Sequence, residues 1–359
     1  MVKKINTHPF VDYALLIFFS FSINYYYSSI GVLQQDTFAY FDTAYRILDG
    51  SVPFKDYWTV SGPFIDYFQA LIFYIFGISW KTYIINGSVL NTLITIIFFY
   101  TIRNFNQDRL HSLFYALCFS ILANPSMGTP FSDHYSTFFS LMGIFFFLIS
   151  IIKQKKIFWF LVPVCFFFGF LSKQSPSSYI LLTLLISMII YAKYSRDLSF
   201  IKYFFISSLF CLSFLFVFFY FNKINLEQFI YQYILFPQTI AAERIDSYKI
   251  TFNGTFLQFK FIYIFFILLL IILFTSKKLF KENYKFLYSI ILIMLTVVLI
   301  FHQVVTKNFI FIFFLIPMLA SLIQLNIPNS YKYRNLAISV LIISTFFFTL
   351  KYHLRFNKE

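Results

Sequence analysis

The sequence predicts an all-α polytopic integral membrane protein, with about eleven transmembrane helices and a structured first outer loop that contains interfacial helices. Three observations lead to that class. Hydrophobic residues are 60% of the chain and charged residues 12%, where a soluble domain carries about a quarter charged residues. Mean hydropathy is +0.76. The apolar residues are also gathered into long runs separated by short basic turns, a pattern that excludes a soluble globular fold. Residues 1–359 read as a single transmembrane domain.

The runs fall at about 10–30, 82–102, 110–125, 134–152, 157–172, 178–193, 198–221, 256–275, 286–301, 308–325 and 336–351, against roughly 17 to 25 residues needed to span. Lys3 and Lys4, Arg103 and Arg109, the KQKK turn at 153–156, Lys193 and Arg196, the lysines of 277–285, and Lys332 with Arg334 can then all lie in the cytoplasm. The positive-inside rule favours that arrangement. It puts the first loop, the MGTPFSDHYS segment around Asp133, a second larger loop at 222–255, and the FHQVVTKN segment around Lys307 together on the outer side. Eleven spans leave the basic tail KYHLRFNKE outside, against the same rule.

The formal charge of +14 does not form a nucleic-acid stripe, because the cations fall in short clusters between apolar runs. The 57 Phe and 27 Tyr are enriched together with Ile, Asn and Lys, as an AT-rich genome dictates. Cys118, Cys165 and Cys211 stand singly inside apolar stretches and read as buried thiols.

The first outer loop, 31–78, concentrates the chemistry. Asp36, Asp42, Asp49, Asp56 and Asp66 fall within it, from a total of 14 acidic residues. Asp36 precedes a surface helix in which Phe38, Phe41, Tyr45 and Leu48 recur at helical spacing, and Gly50 is placed to end it. Ser61, Gly62 and Pro63 start a second helix that runs to Gly77, since proline suits the first helical position. About fourteen residues at 1.5 Å each make roughly 21 Å, too short for a ~30 Å hydrocarbon core, so this helix is interfacial or inclined. Asp42 and Arg46 are spaced for a surface ion pair, and Asp49 before Gly50 for a turn.

A first span, an outer loop with an early Asp, a surface helix, and then DGSVPFKDYW and SGPFIDYFQALIFYIFG resemble the GT-C membrane glycosyltransferases. The resemblance is to the bacterial branch related to protein O-mannosyltransferases and lipid A aminoarabinose transferases. FLSKQSPSSYILL at 170–182 is similar to that branch's FLTKGP segment, and KNFIFIFFLIPMLASL from Lys307 to its late basic, aromatic and proline segment. Coverage is fair from about residue 10 to 185 and weak beyond. Asp36 is followed by Thr37, where many relatives carry an Asp-Glu pair, so a second carboxylate must come from elsewhere, and Asp133 is the candidate.

The resemblance implies transfer of a sugar from a polyprenyl-phosphate-linked donor to a lipid, glycan or protein hydroxyl, by an integral protein of the bacterial cytoplasmic membrane whose site faces outward. Membrane lipids are then the surroundings and nucleic acid is not a partner. The residues suit such chemistry. A phosphate leaving group needs no general acid, but it needs a base at the acceptor hydroxyl and fixed cations or a divalent metal around the growing phosphate charge. No motif demands a cofactor.

Asp36 is assigned as that base by single displacement, with helix capping as its rival role. Asp133 is the second carboxylate, a metal ligand, a sugar contact or a cap. Lys173, Arg244 and Lys307 are the donor-phosphate cations, against topology anchoring for the last two. Asp56, Tyr57, His134 and His302 are the substrate contacts, with a turn role competing at Asp56. Two other classes share the hydropathy. A flippase for lipid-linked sugars would show internal repeats and polar residues near mid-membrane, and no repeat is found. A lipid-carrier-dependent polysaccharide ligase or polymerase differs only in lacking the first-loop resemblance.

Asn caps a helix as well as Asp but takes no proton, so Asp36→Asn is expected to lower transfer by about a hundredfold or more while leaving thermal stability intact. Near-normal turnover would make Asp36 a cap alone.

Overall fold

A computed structural model describes residues 9–30, 38–124, 129–196, 198–275, 283–308 and 311–357. Asp36 lies outside them. Among the described residues the chain is all-helical, with one isolated bridge between Pro53 and Tyr57. Six helices are long and apolar enough to cross a membrane. They are α4 (Trp80–Asn104), α6 (Ser132–Lys153), α8 (Gln174–Ser195), α9 (Ser199–Asn222), α13 (Asn283–Thr306) and α15 (Arg334–Phe356). The remaining elements are α1 (Pro9–Ile30), α2 (Ala39–Leu48), α3 (Pro63–Phe76), α5 (Arg109–Ala123), α7 (Lys156–Ser172), α10 (Leu226–Ile230), α11 (Phe236–Asp246), α12 (Lys260–Thr275) and α14 (Leu315–Asn326).

Local signals set the boundaries. Ser79 accepts from Thr82 N to open α4, and Asp108 accepts from the Leu110 and His111 N–H groups to open α5. Pro63 opens α3 and Gly77, at φ +84°, closes it, as the sequence predicts. Gln154, Arg196 and Lys223 end α6, α8 and α9 in left-handed backbone.

The surface is as apolar as the interior on some helices, which is the signature of a lipid solvent. On α9, Phe205, Phe210, Phe214, Phe216 and Phe221 are all exposed. No water-exposed helix would hold so many phenyl rings outward. The architecture is that of a helical, multi-pass membrane protein.

One sequence expectation is revised. The run at 308–325 becomes a helix only from Leu315, because Lys307 ends α13 in left-handed backbone and residues 311–314 are buried without being helical. With 12 residues, α14 is about 18 Å long. Leu315 to Gln324 are all buried, so its apolarity serves packing against protein and not lipid. On α2 the buried positions are Tyr40 and Ala44, Phe41 packs on Phe73 and Tyr83, and Phe38, Tyr45 and Leu48 face outward. The 222–255 loop is itself mostly helical, with π-turns at Tyr231–Leu235 and Phe252–Leu257 interrupting it.

Two ends of the bundle can be told apart by their cross-links. At one, Asp12 of α1 holds Arg109 of α5 in a two-pronged ion pair at 2.6 and 2.7 Å, Phe105 stacks on Tyr288 of α13, and Gln154 reaches Tyr191 of α8. At the other, the far ends of α6, α8 and α13 meet around Asp133. Between them the helices approach through small residues. A Cβ on Gly169 of α7 would lie 2.6 Å from Ser140 Oγ of α6, the small-residue contact that lets membrane helices pack.

Candidate functional site

The site end is built on the first loop. Asp56 closes the turn between α2 and α3 by accepting from the Val52 N–H at 2.8 Å, and Pro53 and Tyr57 bridge across it. Asp42 and Arg46 pair at 2.8 Å on the exposed face of α2, and Asp49 caps that helix before Gly50 at φ +92°. All three carboxylates therefore take the turn or surface roles available to them.

The loop then docks on the junction between α7 and α8. Gly62 N–H donates to Ser172 O at 3.0 Å, and a Cβ on Gly62 would sit 1.5 Å from Leu171 O. Only glycine permits that approach. Lys173 is extended there, ending one helix and preceding the next, and the Ser175–Pro176 peptide is cis. Gln174 donates from its side-chain amide to Val60 O of the loop and to Tyr233 O of the 222–255 segment. Gln232 closes the triangle, accepting from Thr59 N–H at 3.2 Å and donating to Phe54 O at 3.1 Å. Three segments far apart in sequence are thereby locked together.

Behind this junction is a buried ion cluster. Asp133, 1% exposed, stands in the first turn of α6 but does not cap it, since Phe131 occupies the N-cap position. Its Oδ2 accepts from Lys173 Nζ at 2.7 Å and its Oδ1 lies 2.7 Å from His302 Nε2 of α13. With that nitrogen protonated the imidazole donates to the carboxylate. Ser136 ties the same corner, donating to Lys173 O at 2.8 Å and accepting from Ser177 N–H at 3.1 Å. His302 is 2% exposed, whereas the Lys173 side chain is 24% exposed. An ammonium has three donors, and Asp133 uses one. Lys173 is thus oriented by Asp133 while part of it faces open space.

A second buried carboxylate, Asp66 in the first turn of α3, has no cation beside it among the described residues. Its Oδ1 is 2.6 Å from Thr43 Oγ1 of α2, and its Oδ2 accepts from Tyr57 OH at 3.3 Å. Burial raises its pKa from 3.8 to about 7, opposed by the Thr43 and Tyr57 hydroxyls. Burial, and then the charge of Asp66, push the Tyr57 phenol upward. Thr43 Oγ1 also lies 3.1 Å from Ala39 O. When Asp66 holds a proton on Oδ1 it can donate to Thr43, which is then free to donate to that carbonyl. Tyr40, buried between the two carboxylates, has its hydroxyl in reach of Ser132 and Ser61. One turn deeper, Gln69 accepts from Asn86 at 2.8 Å, and Asn86 accepts in turn from Tyr135.

The sequence-derived candidates divide accordingly. Asp133, Lys173 and His302 meet in one cluster, and Tyr57 joins Asp66. Asp56 stays exposed in its turn. His134 is buried among Phe131, Phe138 and Phe311, and neither ring nitrogen is hydrogen-bonded among the described residues. Arg244 and Lys307 are exposed at the same end of the bundle and outside both clusters. Asp36 is not among the described residues. No family model matches this chain, and no curated protein matches it. No trio of His, Cys, Asp or Glu side chains is placed to hold a metal ion among the described residues.

Asp66, Thr43, Gln174 and Gln232 were not singled out from sequence as site residues. Asp66 had a signal, a carboxylate inside an apolar helix, and the two glutamines had none.

The raised pKa of Asp66 has a definite pH signature. The folded chain keeps a proton that the unfolded chain releases, so the stabilising difference is complete below about pH 4 and is lost as pH climbs toward about 7. The detergent-solubilised protein should show a Tm that falls across that window, and Asp66→Asn should flatten the fall. An unchanged slope in the variant would contradict this.

Proposed function

We propose that this chain is a GT-C-type membrane glycosyltransferase that moves a sugar from a polyprenyl-phosphate-linked donor to a lipid, glycan or protein hydroxyl. In this reading α1, α4 to α9, α12, α13 and α15 cross the membrane as helices, and the buried stretch 311–326 that ends in the short α14 completes about eleven crossings. The carboxylate end faces outward and the end rich in paired lysines and arginines faces the cytoplasm.

One observation carries the reading. The DGSVPFKDYW and SGPF segments, the FLSKQSPSS segment, and the 222–255 segment converge on one end of the bundle, where they enclose two buried carboxylates and a part-open lysine. A transporter would gather its polar groups near mid-membrane between repeats. Here the buried ionisable groups of the site lie at a helix-end junction.

The chemistry divides among the residues as follows. The base removes the acceptor hydroxyl proton as the sugar leaves phosphate. Asp36 holds that role by resemblance. Asp66 supplies a second proton acceptor, a buried carboxyl poised near neutrality, which is the range where a general base works best. The donor phosphate has Lys173, Arg244 and Lys307 within the same end of the protein. Lys173 is the best positioned, because Asp133 fixes its direction and leaves donors unused. Arg244 and Lys307 are exposed and can meet a lipid headgroup at the interface. His302 holds the other oxygen of Asp133 and so belongs to the support of Lys173. The cluster admits a divalent metal only by displacing Lys173 or His302 from Asp133.

The decisive assay incubates purified protein with polyprenyl-phosphate sugars and follows release of polyprenyl phosphate. Turnover is expected, and Lys173→Met should lower it by about a hundredfold. Loss of activity in Asp66→Asn together with retention in Asp36→Asn would move the base to Asp66. Transfer from a nucleotide-sugar with no lipid carrier present would overturn the proposal.

A further inference from the structure

At the end of the bundle away from Asp133 lies a cavity of about 800 Å³ between the α4–α5 turn, the start of α13 and the turn from α14 to α15. That volume is within the range of small-molecule sites, about 300–1,000 Å³. The cavity is separate from the ion cluster: Lys285 and His302 lie on the same helix, about 26 Å apart along its axis at 1.5 Å per residue. Its framework is rigid. Gln324 accepts from Tyr115 OH at 2.8 Å and its amide nitrogen is 2.6 Å from His111 Nδ1, which leaves the imidazole Nε2 to carry the ring proton. Asn326 donates to Ser289 Oγ at 3.2 Å. Asp108, the acidic residue of the lining, is committed to capping α5.

What this framework leaves over is unusual. Gln107 is 3% exposed, and neither its amide oxygen nor its amide nitrogen has a partner. Asn326, 5% exposed, has an unpartnered Oδ1, and the Nε of Arg334 is likewise buried without an acceptor. Burying such a group unmet costs free energy, and native proteins seldom leave several together. All three residues line this one cavity. A guanidinium and a pair of amides around a half-open volume suit an anion that also carries neutral polar atoms, with the guanidinium matching phosphate oxygens.

We propose that this cavity binds a phosphate-bearing polar ligand, its phosphate against Arg334 and its neutral polar atoms against Gln107 and Asn326. The phosphate can belong to a soluble molecule or to a lipid headgroup entering beside α14 and α15. The site is independent of the transfer chemistry proposed for the opposite end.

The test uses the full chain in nanodiscs and reads thermal stability. One arm adds pyrophosphate to discs of phosphatidylcholine alone. The other replaces part of the phosphatidylcholine by phosphatidylglycerol with no pyrophosphate. A rise in Tm in the first arm identifies a soluble phosphate ligand, and a rise in the second identifies a headgroup. In either case Arg334→Gln should weaken the responding ligand by about tenfold or more, while Lys202→Gln, remote from the cavity, should not. Gln107→Leu provides a second variant that is expected to fold, because it removes a buried amide with no partner; it should hold or raise the ligand-free Tm and reduce the response. No rise in either arm, or a rise of equal size in all variants, overturns the proposal.

Discussion

The site end of this protein depends on the burial of one carboxylate. Asp133 is nearly inaccessible, and an ionised carboxylate there would be prohibitively costly without partners. Lys173 and His302 meet both of its oxygens at 2.7 Å. Because these three residues come from α6, from the α7–α8 junction and from α13, satisfying the charge also fixes where three helices end relative to one another. Once the junction is set, its carbonyls at Leu171 and Ser172 become the surface on which Gly62 settles. The first loop then inherits its position from the ion cluster.

The two buried carboxylates occupy opposite electrostatic situations. Asp133 has cationic support, while Asp66 has only hydroxyls and stays protonated up to about neutrality. Pairs of titratable groups pushed apart by their surroundings are a common feature of acid–base sites.

Much of the fold was legible in the sequence, because membrane spans announce themselves by composition. The start of α3 at Pro63, its end before Gly77, and the ion pair of Asp42 with Arg46 were all readable from local rules. The short α14 was not, since an apolar run reads alike whether its residues face lipid or other helices; its burial is decided by neighbours. On α2 the helical spacing of Phe38, Phe41, Tyr45 and Leu48 was readable, but the burial of Tyr40 and Ala44 was not, because neighbouring elements decide it. Asp133, Lys173 and His302 could each be singled out, but their meeting could not. They are separated by 40 and 169 positions from Asp133, and nothing local encodes such a contact. Gln174 and Gln232 were invisible because an amide acquires meaning only when the backbone groups it joins are known.

The central claim is that Asp133 and Lys173 act as one unit that holds the site end together. A double-mutant cycle tests it directly, with Asp133→Asn, Lys173→Met and the pair unfolded in mixed micelles. Lys173→Met leaves the buried Asp133 with His302 alone and should cost about 3–5 kcal/mol, Asp133→Asn leaves a part-exposed lysine and should cost less, and the double variant should cost less than their sum by about 1–3 kcal/mol. Costs that simply add would contradict the account, because they would mean that the two charges do not sense each other.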